Sequence, residues 1–112
     1  MCGIIGLSTN QSPAEFYDLF EKLLIESSIR GRHATGMSFP SGGKVITIKD
    51  RVPAEDFLSN HSIRDRILSG EIPTTVIAHV RYCTSGEEYP QPIATDDMSI
   101  VHNGVVTQAS VS

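Results

Sequence analysis

The chain has 112 residues, of which 39% are hydrophobic and 20% are charged, and its formal net charge is −4. This length allows one domain with a packed core but not two, and the composition is typical of a folded domain. The acidic balance offers no basic surface for nucleic acid or an anionic membrane, and no apolar run approaches the ~18 residues that span a bilayer. The N-terminus lacks the features of a secretory signal. We therefore expect residues 1–112 to form one cytoplasmic domain.

The chain opens with Met1-Cys2-Gly3-Ile4-Ile5-Gly6, and residues 2–9 are predicted to form a buried strand. If Met1 is removed, Cys2 carries both a thiol and a free α-amino group. The pKa of an unperturbed α-amino group is ~7.7–8.0, so this group can act as the base for its own thiol near neutral pH. Alternatively, Met1 is retained and Cys2 is a small buried residue, as free cysteines commonly are.

A helix is predicted to begin at residues 12–15, where Ser12 is a suitable cap, Pro13 suits the first helical position and Glu15 completes a capping box. Apolar residues then recur at helical spacing and indicate a face that packs on a sheet. These residues are Phe16, Leu19, Phe20, Leu23 and Leu24. The helix is expected to fray around residues 27–28.

The predicted loop over residues 30–36 contains Arg30, Gly31, Arg32 and His33. Two glycines and three side chains that can carry positive charge are suited to holding an anion near the next strand. The alternative is a solvated helix exit whose basic residues complement the helix dipole.

The second half of the chain is predicted to be richer in strands. In chain order the predicted elements are a hairpin of strands 37–39 and 44–49, short surface helices over 53–60 and 62–68, a central strand over 74–82, an irregular stretch over 83–93, a turn at Asp96-Asp97, and strands over 98–101 and 105–106. In the hairpin, Ile46 and Ile48 are expected to share a buried face.

Two stretches near strand ends carry polar groups suited to substrate binding. Arg81 ends an apolar strand, where burying a charge is costly unless it meets an anion, and Thr84 and Ser85 follow it. These residues could bind a carboxylate, with the guanidinium contributing a two-pronged contact. Asn103 and Gly104 offer an amide side chain and an unhindered N–H, the donors that an oxyanion hole needs. The same dipeptide is also a strong hairpin-turn signal.

The cysteines and histidines do not form a metal-binding pattern. The two cysteines, Cys2 and Cys83, are expected to be free thiols rather than a disulfide. His79 and Cys83 are four residues apart, but they lie across a strand-to-loop boundary rather than on one helical face. Because no Cys-x-x-Cys or compact histidine pair occurs, we expect no metal site. No cofactor is expected either.

Five short motifs together resemble those of class II glutamine amidotransferases, the N-terminal-nucleophile hydrolases that release ammonia from glutamine. In order they are MCGIIG, RGRHATG, AHVRYCTSG, PQPI and VHNGVV. The resemblance extends from Cys2 to about Gln108. It implies an α+β fold, a four-layer α-β-β-α sandwich of two antiparallel sheets, which this chain is expected to contain incompletely at its C-terminal end.

The resemblance also implies roles for individual residues. Cys2 would be the nucleophile that forms a glutamyl thioester, with its own amine as base. Arg30 and Gly31 would line the site around it, and Asn103 and Gly104 would form the oxyanion hole.

Arg81 would bind the α-carboxylate of L-glutamine, with Thr84 and Ser85 at neighbouring substrate contacts. The chain departs from the family pattern in having His33 after Arg30-Gly31-Arg32, and no acidic residue follows Asn103 to bind the substrate amino group. Gln91-Pro92 resembles the asparagine synthetase and amidophosphoribosyltransferase branches more than the glucosamine-phosphate branch.

Three interpretations remain open from the sequence. The first is a glutaminase domain that supplies ammonia to a partner subunit or a further domain. The second is a truncated, non-catalytic relative that binds a partner or is simply incomplete. An uncovered sheet face in such a chain would favour self-association. The third is an N-terminal-cysteine amide hydrolase with another substrate, for which Arg81 has no evident role.

Overall fold

The computed structural model describes residues 3–81, 91–95 and 99–100. Their elements, in chain order, are β1 (Gly3–Ser8), α1 (Pro13–Ser27), a 3₁₀ turn (Ser28–Arg30), β2 (Ala34–Ser41), β3 (Lys44–Asp50), α2 (Ala54–Asn60), α3 (Ile63–Leu68), β4 (Thr75–Arg81), β5 (Ile93–Ala94) and β6 (Ser99–Ile100). This is an α+β arrangement, as predicted. Within these ranges, no helix has the length and apolarity needed to cross a membrane.

Four strands pair in the order β1-β4-β2-β3, and every pairing is antiparallel. The prediction that residues 74–82 form a central strand is confirmed, because β4 has a neighbour on each side. Gly3 lies opposite Val80, and Ala34 lies opposite Arg81. The start of β1, the start of β2 and the end of β4 therefore meet at one edge of the sheet.

Helix α1 begins as its sequence predicts. The backbone N–H of Glu15 donates to Ser12 Oγ (3.3 Å), and the backbone N–H of Ser12 donates to the Glu15 carboxylate (3.4 Å). These two bonds satisfy N–H groups that have no partner within the helix itself. The apolar stripe places Phe16, Phe20 and Leu24 in the core with no exposed surface.

Helices α2 and α3 lie at the surface with their polar residues exposed, as expected, but their apolar residues are part of the core. Phe57, Ile63 and Ile67 are completely buried and belong to the same core as α1 and the sheet. The helices have only seven and six residues. Each therefore buries two or three apolar side chains along a single narrow stripe. The polar residues outnumber these side chains, so the overall composition of each short helix is polar although one face is apolar.

Strand β2 is longer than predicted. It begins at Ala34 rather than Met37, so the second half of the predicted 30–36 loop is strand. Residues 34–36 are small and weakly apolar, and pairing with β3 and β4 on both sides compensates for that lack of local preference. The expected buried face of β3 is also incomplete, since Ile46 is 38% exposed at this edge strand.

The short pair β5–β6 lies over the sheet face that the helices leave uncovered. Met37 and Phe39 belong to the helix-facing core, so by alternation Gly36 and Ser38 point to the opposite face. Ser99 Oγ donates to Ser38 Oγ there (2.8 Å). The Asp96-Asp97 turn and strand 105–106 lie outside the described residues, and the four-layer sandwich stays a prediction.

A hydrogen bond between a histidine and an aspartate joins the end of β3 to the end of α2. His61 Nε2 lies 2.9 Å from Asp50 Oδ2, and Asp50 Oδ1 accepts the backbone N–H of Arg51 (2.8 Å). The hydrogen bond from His61, followed by that from Arg51, lowers the pKa of Asp50 below its usual range.

A carboxyl group whose pKa is lower in the folded state than in the unfolded state stabilises the fold at pH values above its unfolded-state pKa. This contribution disappears as the pH falls through the folded-state pKa. We expect Asp50→Asn to lower the free energy of unfolding by about 0.2–1 kcal/mol near pH 6, since the pair is partly exposed. The difference should shrink toward pH 3. Urea titrations at several pH values measure it, with the exposed Asp18→Asn as control; a deficit that is the same at every pH would contradict the assignment.

Candidate functional site

Three of the predicted site residues meet at the edge of the sheet where β1 begins. Arg30 ends the 3₁₀ turn, Gly31 follows it, and Arg81 ends β4. The 3₁₀ turn packs against β4. The backbone N–H of His33 then donates to the carbonyl oxygen of Arg81 (2.9 Å), which ties the chain after Gly31 to the end of the strand.

The start of β1 is closely packed against the same region. A Cβ atom on Gly3 would lie 2.8 Å from Val80 Cγ2 and 3.2 Å from Ser27 Cβ, so only glycine fits without a shift. Cys2 lies outside the described residues.

The two arginines after α1 differ in their contacts. Arg30 is exposed and Gly31 is buried, whereas Arg32 forms a two-pronged ion pair with the carboxylate of Glu55 on α2. The hydrogen bonds between them raise the pKa of Arg32 and lower the pKa of Glu55. Arg32 is therefore committed to a structural contact, and the prediction that three cationic groups together hold an anion is too broad.

Arg81 has the position that the sequence suggested. Val80 is fully buried on the helix side, so Arg81 points by alternation to the opposite face, where its Nε atom is buried while the residue as a whole is half-buried. His79, two residues earlier on the same face, has no exposed surface. The guanidinium is thus held near the sheet edge with part of its surface accessible.

The remaining predicted site residues lie outside the described ranges. They are Cys2, Thr84, Ser85, Asn103 and Gly104. Their roles, like those of Arg30, Gly31 and Arg81, stay predictions. Among the described residues, no three His, Asp or Glu side chains approach closely enough to hold a metal ion.

The described part of the chain also contains two concave regions away from this edge. One, of about 330 Å³, lies between the helices beside Tyr17, Glu21 and Leu58. The Tyr17 hydroxyl donates to Glu21 there (3.2 Å), and burial raises the pKa of Tyr17 to about 12. The other, of about 200 Å³, lies beside Ser38 and Ser99. Neither is lined by a predicted site residue.

Sequence reasoning overlooked a close contact on the same sheet face as Arg81. The carbonyl group of Gln91 lies directly over Gly36, and Lys49 Nζ donates to the carbonyl oxygen of Pro92 (3.1 Å). A glycine inside a strand often marks such a close approach of another backbone, and Gly36 was the available signal. No local pattern indicated Lys49 as its companion.

The chain is similar to known enzymes over almost its whole length. It is 30% identical over 111 residues to the isomerizing glutamine–fructose-6-phosphate aminotransferase of Rhizobium meliloti, and 32% identical to that of Rhizobium meliloti strain 1021. Each alignment covers 95% of this chain but 17% of the relative.

The chain therefore spans about a sixth of the length of the relatives that it matches. No family model matches it, and no solved structure does. Both relatives are fructose-6-phosphate aminotransferases, whereas Gln91-Pro92 resembles the corresponding pair of two other branches, so these two observations point to different branches of the amidotransferases.

Proposed function

We propose that this chain is a class II glutamine amidotransferase domain that hydrolyses the side-chain amide of L-glutamine. The observation that carries the proposal is its similarity, over 95% of its length, to two enzymes named for the transfer of nitrogen from glutamine. The convergence of Gly3, Arg30, Gly31 and Arg81 at one edge of the sheet supports it, since a single substrate could contact that whole region.

The proposed reaction begins at Cys2, freed from Met1. Its α-amino group takes the thiol proton, and Sγ attacks the amide carbon of glutamine. The Asn103 amide and the Gly104 N–H stabilise the oxyanion, the C–N bond breaks, and the nitrogen leaves as ammonia with the transferred proton. Water then hydrolyses the thioester to glutamate and regenerates the thiol. Arg30 and Gly31 shape the surroundings of the nucleophile.

Substrate recognition is assigned to the end of β4 and the residues after it. Arg81 binds the α-carboxylate of glutamine through two parallel N–H donors, and Thr84 and Ser85 make neighbouring contacts. The partial burial of Arg81 supports this role, because a charged hydrogen bond is stronger where water is partly excluded. Catalysis needs no metal or other cofactor in this scheme.

The ammonia is used elsewhere, by a partner subunit or a further domain in the cytoplasm. Such an acceptor is proposed because the relatives are about six times as long as the matched region. In the proposed fold, β5–β6 begins a second sheet over the face of the first. The contact of Ser99 with Ser38 on β2, and that of Pro92, just before β5, with Lys49 on β3, support that arrangement.

A second candidate function is a non-catalytic binding module that keeps the amidotransferase fold. It is favoured by a departure from the family pattern near the proposed nucleophile, where His33 follows Arg30-Gly31-Arg32. The two functions differ in whether glutamine is consumed.

The test is the incubation of the chain, with removal of Met1 verified by intact mass, with L-glutamine. We expect ammonia and glutamate to appear in equal amounts, with D-glutamine and L-asparagine as controls. A glutamine analogue with an electrophilic group in place of the amide should add one equivalent of mass at Cys2. Absence of both turnover and labelling would reject the glutaminase and favour the binding module. Equal turnover of L-asparagine would instead indicate a different amide hydrolase.

A further inference from the structure

We propose that Gly36 and Lys49 are positioning residues that seat the Gln91–Pro92 backbone on the sheet and thereby set the affinity for glutamine. They act without touching the substrate. This inference rests on the proposed function, because the effect on affinity requires that glutamine is the substrate. The seat itself is defined by contacts that do not depend on that assignment.

The seat is the pair of contacts that Gly36 and Lys49 make with the Gln91–Pro92 backbone. The first requires a residue without a side chain, and the second requires a long side chain that carries a positive charge. A Cβ atom built on Gly36 would overlap the carbonyl oxygen of Gln91, a backbone group that cannot rotate away. The Lys49 ammonium donates to the carbonyl oxygen of Pro92 at 3.1 Å. Gly36 and Lys49 lie directly opposite each other on β2 and β3.

The seated segment is firmly packed. Gln91 is 9% exposed, and Pro92 is among the fully buried residues. Proline has no N–H to donate, so its carbonyl oxygen is its one backbone hydrogen-bonding group. Lys49 satisfies that oxygen at a place where an unpaired carbonyl would be costly.

The seat is close to the proposed carboxylate site. Gly36 pairs with His79, and Ala34 pairs with Arg81, so the seat and Arg81 are two residues apart along the strands, or about 7 Å. Both are on the face opposite the helices. Because Gln91 is held on the same face beside Arg81, a displacement of Gln91 would alter the surface that borders the proposed carboxylate site.

The experiment compares Lys49→Met with Lys49→Arg and with Lys44→Met in the 112-residue chain. Lys44 is an exposed lysine at the start of the same strand, so its replacement matches the charge change without touching the seat. Hydrogen exchange of residues 91–95 reports on the seat, and KM and kcat for glutamine report on its consequence. Unfolding midpoints monitor general stability.

We expect Lys49→Met to speed exchange in residues 91–95 and to raise KM about three- to tenfold with kcat changed less than twofold, the range expected for the loss of one ordinary hydrogen bond. Lys49→Arg should restore most of the affinity, because arginine can also donate to the carbonyl. Lys44→Met should resemble the wild type. Unchanged KM and exchange in Lys49→Met would overturn the proposal, as would equal effects of Lys44→Met.

A second pair of variants keeps the test decisive if the lysine contact alone proves weak. Gly36→Ala should displace Gln91 and raise KM further, whereas Gly6→Ala adds a methyl group to open space on the same face and should be neutral. Normal KM in a folded Gly36→Ala chain would exclude the seat. If the wild-type chain does not hydrolyse glutamine, the proposed function and the affinity effect fail together, while exchange of residues 91–95 still decides whether the seat exists.

Discussion

Replacing Cys2 by serine is expected to lower glutamine hydrolysis by about three orders of magnitude or more, the loss typical of a removed nucleophile. A hydroxyl is far less ionised than a thiol near neutral pH, so the terminal amine cannot activate it to the same extent. The measurement is the initial rate of ammonia release at saturating glutamine. Cys83→Ser is the matched control, because it removes the other thiol of the chain and should leave most of the activity.

The role of the amino group can be separated from that of the thiol. Retaining Met1 converts the Cys2 amine into an amide and removes the base while the thiol stays in place. Loss of a positioned general base typically lowers rates by about 10²- to 10⁴-fold. If a chain that keeps Met1 hydrolysed glutamine as fast as the processed chain, the N-terminal mechanism would be wrong.

Arg81→Lys is expected to weaken glutamine binding strongly. Lysine keeps the positive charge but cannot present the planar pair of donors that matches a carboxylate. Truncating one partner of a buried charged pair costs about 2–5 kcal/mol. Because Arg81 is half-buried, we expect the lower limit, which corresponds to an increase of KM of about thirtyfold. Steady-state kinetics with L-glutamine measures it.

The matched control is Arg66→Lys, because Arg66 also makes a two-pronged ion pair, with Glu71, but does so on the helical side of the molecule. Its effect on KM should be within twofold. A substrate analogue without the α-carboxylate adds a further comparison, since it should bind the wild-type chain and Arg81→Lys equally. Unchanged KM for glutamine in Arg81→Lys would show that the carboxylate is held elsewhere.

Several parts of the fold could be predicted from local sequence because their causes are local. Ser12, Pro13 and Glu15 specify the start of α1 through hydrogen bonds that span three residues, and the structure contains those bonds. The glycines at positions 42 and 43 specify the turn between β2 and β3, where both have positive φ (58° and 80°). The β-branched residues of β4 likewise indicated a central strand.

Only part of the candidate site could be predicted from local sequence. The order and type of the motifs identified Cys2, Arg30, Gly31, Arg81 and Asn103 as residues that could act together. Motif order does not specify distance, however. The pairing of Gly3 with Val80 and of Ala34 with Arg81 brings residues 77 and 47 positions apart to one sheet edge. That proximity is a property of the sheet register.

The sequence by itself determined the capped helix, the glycine turn, the central strand and the residue types available for chemistry, because each depends on neighbours within a few positions. Tertiary structure alone decided that Arg32 pairs with Glu55, that Phe57 and Ile67 are core residues, and that Gly36 lies beneath Gln91. Each of these contacts joins residues at least 23 positions apart or depends on the face that a neighbouring element covers. Such contacts form only when the whole sheet and its helices pack together, because their stability comes from burial shared among several elements.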